Sequence, residues 1–238
     1  MYIKKLINSL KPVFILIIIN QVVLFLVSFL YGMYDLQNID KFINKYASII
    51  VLITNLTYII YLFKKNHITL DKFNVVGEYP KIYLFICLPI LLNSIIFLIN
   101  KSSITITLNR FIAFSGTVII GPIIEELVFR YSLYNSLTNF NNKSKSIILS
   151  SLIFAIIHIT PIKIAYAFII GIIITIIYSK DHNLTKAITL HIVSNLMGFI
   201  IEYYQPSVML LSTLGTIFSI YLLTLQEYSP TFNKTTKK

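Results

Sequence analysis

Charge is scarce in this sequence. Only 12% of its 238 residues are Asp, Glu, Lys or Arg, where soluble proteins average about 25%. That scarcity excludes an ordinary soluble domain. With 56% hydrophobic residues and a mean hydropathy of +0.80, apolar runs long enough to cross about 30 Å of hydrocarbon recur along the chain. Cysteine is almost missing as well. Cys87 stands alone, which excludes an internal disulfide and a thiolate metal cluster, and its place within an apolar span marks it as a packing residue. There is no internal repeat and no second domain, so residues 1–238 read as a single integral membrane domain. The first apolar run follows Lys4, Lys5 and Lys11, yet it is too long for a signal peptide and lacks a small-residue cleavage site. It reads as an uncleaved anchor.

The apolar runs predict spans near 12–31, 46–63, 82–99, 110–136, 146–160, 164–179, 187–204 and 208–225. The expected fold is an all-α, polytopic transmembrane helix bundle of about eight spans. Lys64 to Lys81 is the longest polar loop, and 229–238 reads as a disordered tail. Lys and Arg in short loops are retained in the cytoplasm. Lys4, Lys5, Lys11, Lys64, Lys65, Lys72, Lys81, Lys143, Lys145, Lys180, Lys186, Lys234, Lys237 and Lys238 fall on one side of this arrangement, against Lys41, Lys45, Lys101, Arg110 and Lys163 on the other. The expectation is a multi-pass cell-membrane protein with both termini cytoplasmic. The net charge of +11 does not indicate nucleic acid, because the basic residues flank helices rather than cluster on one soluble face. Anionic lipid of the bilayer is their expected partner.

Information therefore concentrates in polar groups within spans, where a charge costs about 2.5–3.5 kcal/mol on insertion scales. In GPIIEELVFRY (121–131), Glu126 and Arg130 stand four residues apart, on one helix face, in the order that favours an ion pair. Glu125 is rotated by about 100° and has no basic residue at that spacing. A carboxylate beside a wet cavity in an apolar bundle is suited to accept a proton. Two further spans repeat the four-residue spacing: Phe154 precedes His158 in SLIFAIIHI, and His191 precedes Asn195 in LHIVSNL. Intramembrane ionisable groups usually face a bundle interior or cavity. Either histidine alone fits packing; with Glu125 and Asn195 they form a candidate site. His67 and His182 fall in loops and Glu202 at a span end, and none of these is assigned chemistry. Tyr31, Tyr203 and Tyr204 lie where amphipathic rings anchor helices at interfaces.

These residues carry a resemblance. EELVFR matches an EExxxR motif, FAIIH an FxxxH motif and HIVSN an HxxxN motif. In that order the three resemble the CAAX protease and bacteriocin-processing (CPBP, or Abi) family of intramembrane endopeptidases, with the catalytic core over 110–200. One departure is visible: many members have Gly after the motif arginine, where this chain has Tyr131. The resemblance implies catalysis by Glu125, His158, His191 and Asn195: the first two activate a water, and the others hold the oxyanion of the tetrahedral intermediate. Glu126 and Arg130 position Glu125, and Phe154 supports the site. The catalytic cavity is then expected to open to the cytoplasm, with His158 deeper than Glu125 and His191.

No cofactor is expected from the resemblance. A zinc alternative stays open, since Glu125, His158 and His191 form a common three-ligand set, although no HExxH pair is present. The expected partner is a membrane-associated peptide or protein substrate, such as a pheromone or bacteriocin precursor, with no nucleic acid. Two other readings remain: a bacteriocin-immunity or scaffold protein that binds without cutting, and a proton-coupled transporter, in which a buried Glu with His groups serves as a relay.

Overall fold

The computed structural model describes residues 2–72, 78–99, 112, 114–201 and 209–228, and among them every regular element is helical. Arg110, at the predicted start of the fourth span, Lys101, Glu202, Tyr203, Tyr204 and the 229–238 tail lie outside the described residues. Eight helical rods are present among the described residues: α1 (Tyr2–Tyr34), α2 (Ile39–Asn66), α3 (Tyr79–Ile99), α4 (115–138), α5 (Lys143–Ile156), α6 (Pro161–Asp181), α7 (Leu184–Ile201) and α8 (Met209–Tyr228). The protein is an all-α polytopic transmembrane helix bundle. By length and apolarity α1, α6 and the 36–66 stretch that holds α2 each suffice to cross a membrane, and 79–92 and 212–225 form shorter apolar helices.

The rods start and stop where local chemistry says they should. Asn142 caps α5, its side chain accepting from the Lys145 N–H at 2.8 Å, which satisfies a backbone donor left over in the first turn. Pro161 opens α6, a position that needs no N–H. Both α2 and α6 end on a histidine in the left-handed region, His67 (φ 50) and His182 (φ 53), whose N–H groups return to the Phe63 and Tyr178 carbonyls. α1 begins earlier than the apolar run suggests, because Lys4, Lys5 and Lys11 continue the helix; long basic side chains carry their charge to water from a helical backbone.

The chain divides into two compact units, Met1–Asp71 with Ile106–Ala187 and Lys72–Thr105 with Ile188–Lys238. In the first, α1 pairs with α2 through polar contacts that suit a lipid-embedded interface: Asn20 Nδ2 donates to Asn55 Oδ1 at 2.9 Å, and Ser9 shares a 2.7 Å hydrogen bond with Ser136 of α4. α5 and α6 form an antiparallel hairpin joined at Ser151 and Thr175, 3.3 Å apart. The N-terminus of α1 is pinned beside the α4–α5 turn, with Tyr2 donating to Asn141 at 3.1 Å and its ring under the Lys145 ammonium. Lys143 donates to the Ser179 carbonyl at 2.8 Å. One end of this unit therefore gathers many of the lysines that the sequence placed on a common side. In the second unit α3 and α8 pack closely enough that Gly215 faces Cys87 directly.

Candidate active site

α4 carries the first motif and is not a regular α-helix. Its 121–126 turn is α-helical, while Ser115–Ile120 and Leu127–Tyr134 are π-helical, a geometry that is rare and concentrates at functional sites. Sequence supplies the cause at the first junction. Pro122 has no N–H and its ring crowds the carbonyl one turn back; the preceding residue, Gly121, bonds instead to the Gly116 carbonyl five residues earlier. A Cβ on Gly121 would lie 2.9 Å from that carbonyl oxygen, so the close approach requires glycine.

The two glutamates then part company. Glu126 and Arg130 are both fully buried, and Arg130 Nη1 lies 2.9 Å from Glu126 Oε1. Arg130 also donates through Nη2 to the Gly171 carbonyl on α6 at 3.3 Å, and its guanidinium sits 4.5 Å from the centre of the Phe154 ring on α5. A charge with no access to water is tolerable only when its partners are supplied in place, and here three helices supply them. Glu125, by contrast, is partly open to its surroundings and lies within electrostatic reach of Arg130. The pair thus anchors the turn from which Glu125 projects.

Phe154 passes this order on. Its ring meets Phe129 edge-on at 5.2 Å and His158 at 5.0 Å. A Cβ on Gly171 would come within 2.9 Å of Phe154 Cδ1, so glycine at 171 leaves room for the ring while its carbonyl takes both Arg130 and the Thr175 hydroxyl. His158 lies beyond the helix. α5 ends at Ile156 rather than running to 160, and His158 occupies the turn that follows, with Ile159 at φ 67 and Thr160 N–H donating to the His158 carbonyl at 2.7 Å. Pro161 is the reason, since the residue before a proline is driven out of the helical region. The motif contact survives as His158 Nδ1 to the Phe154 carbonyl, 3.0 Å. A carbonyl only accepts, so Nδ1 carries the proton and Nε2 of the neutral ring is left as an acceptor.

His191 and Asn195 lie on α7, four residues apart, in the part of that helix belonging to the second unit. His191 is buried and Asn195 half-buried. The structure therefore joins Glu126, Arg130, Phe154 and His158 into one chain of contacts, sets Glu125 beside it, and carries His191 and Asn195 on a common face of another helix. Among the described residues no group of three His, Cys, Asp or Glu side chains is placed to hold a metal ion.

Sequence reasoning centred on ionisable groups passed over the neutral supports. Ser150 donates to the Phe129 carbonyl in the π-helical stretch at 2.9 Å, and Gly171 serves through its backbone. The signal for both was small residues, Ser150, Ser151, Gly171 and Thr175, inside apolar spans, where they let helices approach and hydrogen-bond across.

Comparison with known proteins finds one family model and one curated relative. Residues 105–197 match the family model described as Type II CAAX prenyl endopeptidase Rce1-like. The UPF0177 protein YxdF of Lactococcus lactis subsp. lactis (strain IL1403) is 37% identical over 82 residues, which cover 34% of this chain and 44% of that protein. This chain thus spans less than half the length of that curated relative. No solved structure matches it. All three motifs, EELVFR, FAIIH and HIVSN, fall inside the matched residues, so the stretch of this polytopic membrane protein that is similar to the Rce1-like type II CAAX prenyl endopeptidases is the stretch that carries the motifs.

Proposed function

We propose that the protein is an intramembrane glutamic endopeptidase that hydrolyses a peptide bond in a membrane-associated peptide or protein. The observation that carries this reading is the buried Glu126–Arg130 pair fastened to Gly171 and Phe154, because it fixes a partly open carboxylate, Glu125, on the same turn. It also reaches, through Phe154, a histidine held in one tautomer.

In the proposed reaction Glu125 accepts a proton as water attacks the scissile carbonyl carbon, with His158 Nε2 orienting that water through its lone pair. The C=O bond becomes an oxyanion, for which His191 and Asn195 supply N–H donors; losing one such donor typically costs about 10²- to 10³-fold in rate. Collapse restores the carbonyl and breaks the C–N bond, and the proton held by Glu125 passes to the leaving amine. Every step uses this chain's own acids and bases, and zinc on Glu125, His158 and His191 enters only as an outcome of the test below. We place the lysine-rich end of the first unit, with both termini, at the cytoplasmic face, and substrate entry on that side.

The test is cleavage of an internally quenched peptide library in proteoliposomes by wild type, Glu125→Gln and His158→Ala, each with and without a zinc chelator. Cleavage lost in both variants and indifferent to chelation supports the reading. Chelator-sensitive cleavage makes the three residues metal ligands. Absence of cleavage by the folded wild type, with binding of peptides retained, turns the assignment to a bacteriocin-immunity or scaffold protein that binds without cutting.

A further inference from the structure

Past Arg130, α4 borders a second feature, a cleft of about 250 Å³ lined by His67, Ile68, Thr69, Asp71, Tyr131, Asn135, Tyr178, His182 and Leu184. It lies wholly within the first unit and uses residues to which the motifs give no role. Two observations mark it as built. His67 and His182 adopt a left-handed backbone that side-chain-bearing residues seldom take, and two of the three such non-glycine residues found among the described residues meet at this one cleft. Its wall is also a hydrogen-bond circuit centred on Asn135. Asn135 Nδ2 donates to the Tyr131 carbonyl at 2.9 Å and to the Tyr178 hydroxyl at 3.0 Å, so its Oδ1 is the atom that faces His182 Nδ1 at 3.2 Å. His182 Nδ1 is accordingly the protonated nitrogen. Tyr178 and His182 are further held edge to face at 5.2 Å.

The circuit leaves particular valences open. Tyr178 accepts from Asn135 and still has its own O–H to donate. His182 Nε2 is an acceptor in the neutral ring, and Asp71 adds the one formal charge of the lining. A group that both accepts and donates, as a carboxamide does, matches this set, whereas an apolar side chain would use none of it. The volume lies below the about 300–1,000 Å³ of small-molecule pockets, which suits a residue of a bound peptide rather than a cofactor. Tyr131 comes six residues after Glu125 and Asn135 ten. At about 1.5 Å per residue of an α-helix these are at most about 9 and 15 Å away along the axis, the π-helical Leu127–Tyr134 stretch being shorter, or up to about three to five residues of extended peptide.

The geometry points to this cleft as a substrate subsite that selects a carboxamide side chain, Asn or Gln, about three to five residues from the scissile bond. The inference rests on the endopeptidase reading for its register but not for the binding itself. Two assays separate them. First, quenched peptides identical except for Gln, Leu or Asp scanned through the positions flanking the cleaved bond are compared by KM and kcat. For wild type, KM falls about 3- to 10-fold for Gln in that window, the range expected for a net hydrogen bond. His182→Ala, at an exposed position, and Tyr178→Phe, which removes the open O–H and keeps the ring, erase the difference through KM with kcat unchanged. A preference that survives these variants, or a uniform fall in kcat, overturns the subsite.

Second, because the chain contains no tryptophan, Ile68→Trp in a Glu125→Gln background is the sole tryptophan, excited selectively at the red edge where tyrosine does not absorb. Saturable quenching by a dabcyl-labelled peptide, relieved about 3- to 10-fold better by the Gln than by the Leu peptide, supports the subsite even where wild type cuts nothing. That combination fails only the endopeptidase reading. Absence of saturable quenching overturns the subsite.

Discussion

Removing one member of the buried pair is the sharpest test of how α4 is held. Arg130→Met leaves Glu126, which has no solvent exposure, as a carboxylate without its cation. Breaking a buried pair from one side costs about 3–5 kcal/mol. The lost Nη2 bond to Gly171 and the lost contact with the Phe154 face are part of that cost, since they disappear with the same side chain. At about 2–4 °C per kcal/mol for a chain of this size, the thermal midpoint in detergent should fall by about 6–20 °C. Glu126→Gln with Arg130→Met removes both charges, and most of the loss should return, giving a coupling of about 2 kcal/mol or more in a double-mutant cycle. Peptide cleavage should nonetheless stay low in the double variant, because the anchor of Glu125 is gone while the fold is restored. A single variant that melts within about 3 °C of wild type, or a double variant as unstable as the single one, would refute the argument that the pair is held by mutual neutralisation.

Three further outcomes follow from steric and polar contacts. Gly171→Ala puts a methyl 2.9 Å from Phe154 Cδ1 and should cost about 1–3 kcal/mol as overpacking, measured as a lower melting temperature, with Phe154→Leu partly restoring it. Gly215→Ala places its Cβ 2.5 Å from Cys87 Sγ; it should destabilise the α3–α8 pair on its own and be rescued by Cys87→Ala, which removes the sulfur, in the same melting assay. Ile159→Gly should raise stability by about 1 kcal/mol, since a β-branched residue at φ 67 and largely exposed bears left-handed strain that glycine does not. A lower melting temperature for Ile159→Gly would mean the turn gains more from the side chain than it loses to strain.

What the sequence determined by itself was whatever depends on local spacing and on solvent. Apolar runs of sufficient length dictated eight rods, because only internally hydrogen-bonded helices or closed barrels are stable in hydrocarbon. The four-residue interval dictated that Glu126 and Arg130 meet, because that is a property of one helix and of nothing else. Even the end of α5 was legible in Pro161, although hydropathy, blind to backbone geometry, ran the span through to 160. Tertiary structure decided everything that depends on which helix lies beside which. Arg130 finds Gly171 forty-one residues on, a backbone carbonyl that no side-chain pattern announces. His158 leaves its helix yet keeps Phe154. His67 and His182, passed over as loop residues, close the two ends of α2 and α6 onto one cleft with Tyr131 and Asn135. The physical reason is common to all three. A span's interior face is chosen by its neighbours, and in an apolar chain nearly every face is greasy enough to be buried, so only the few polar contacts between helices decide which faces meet.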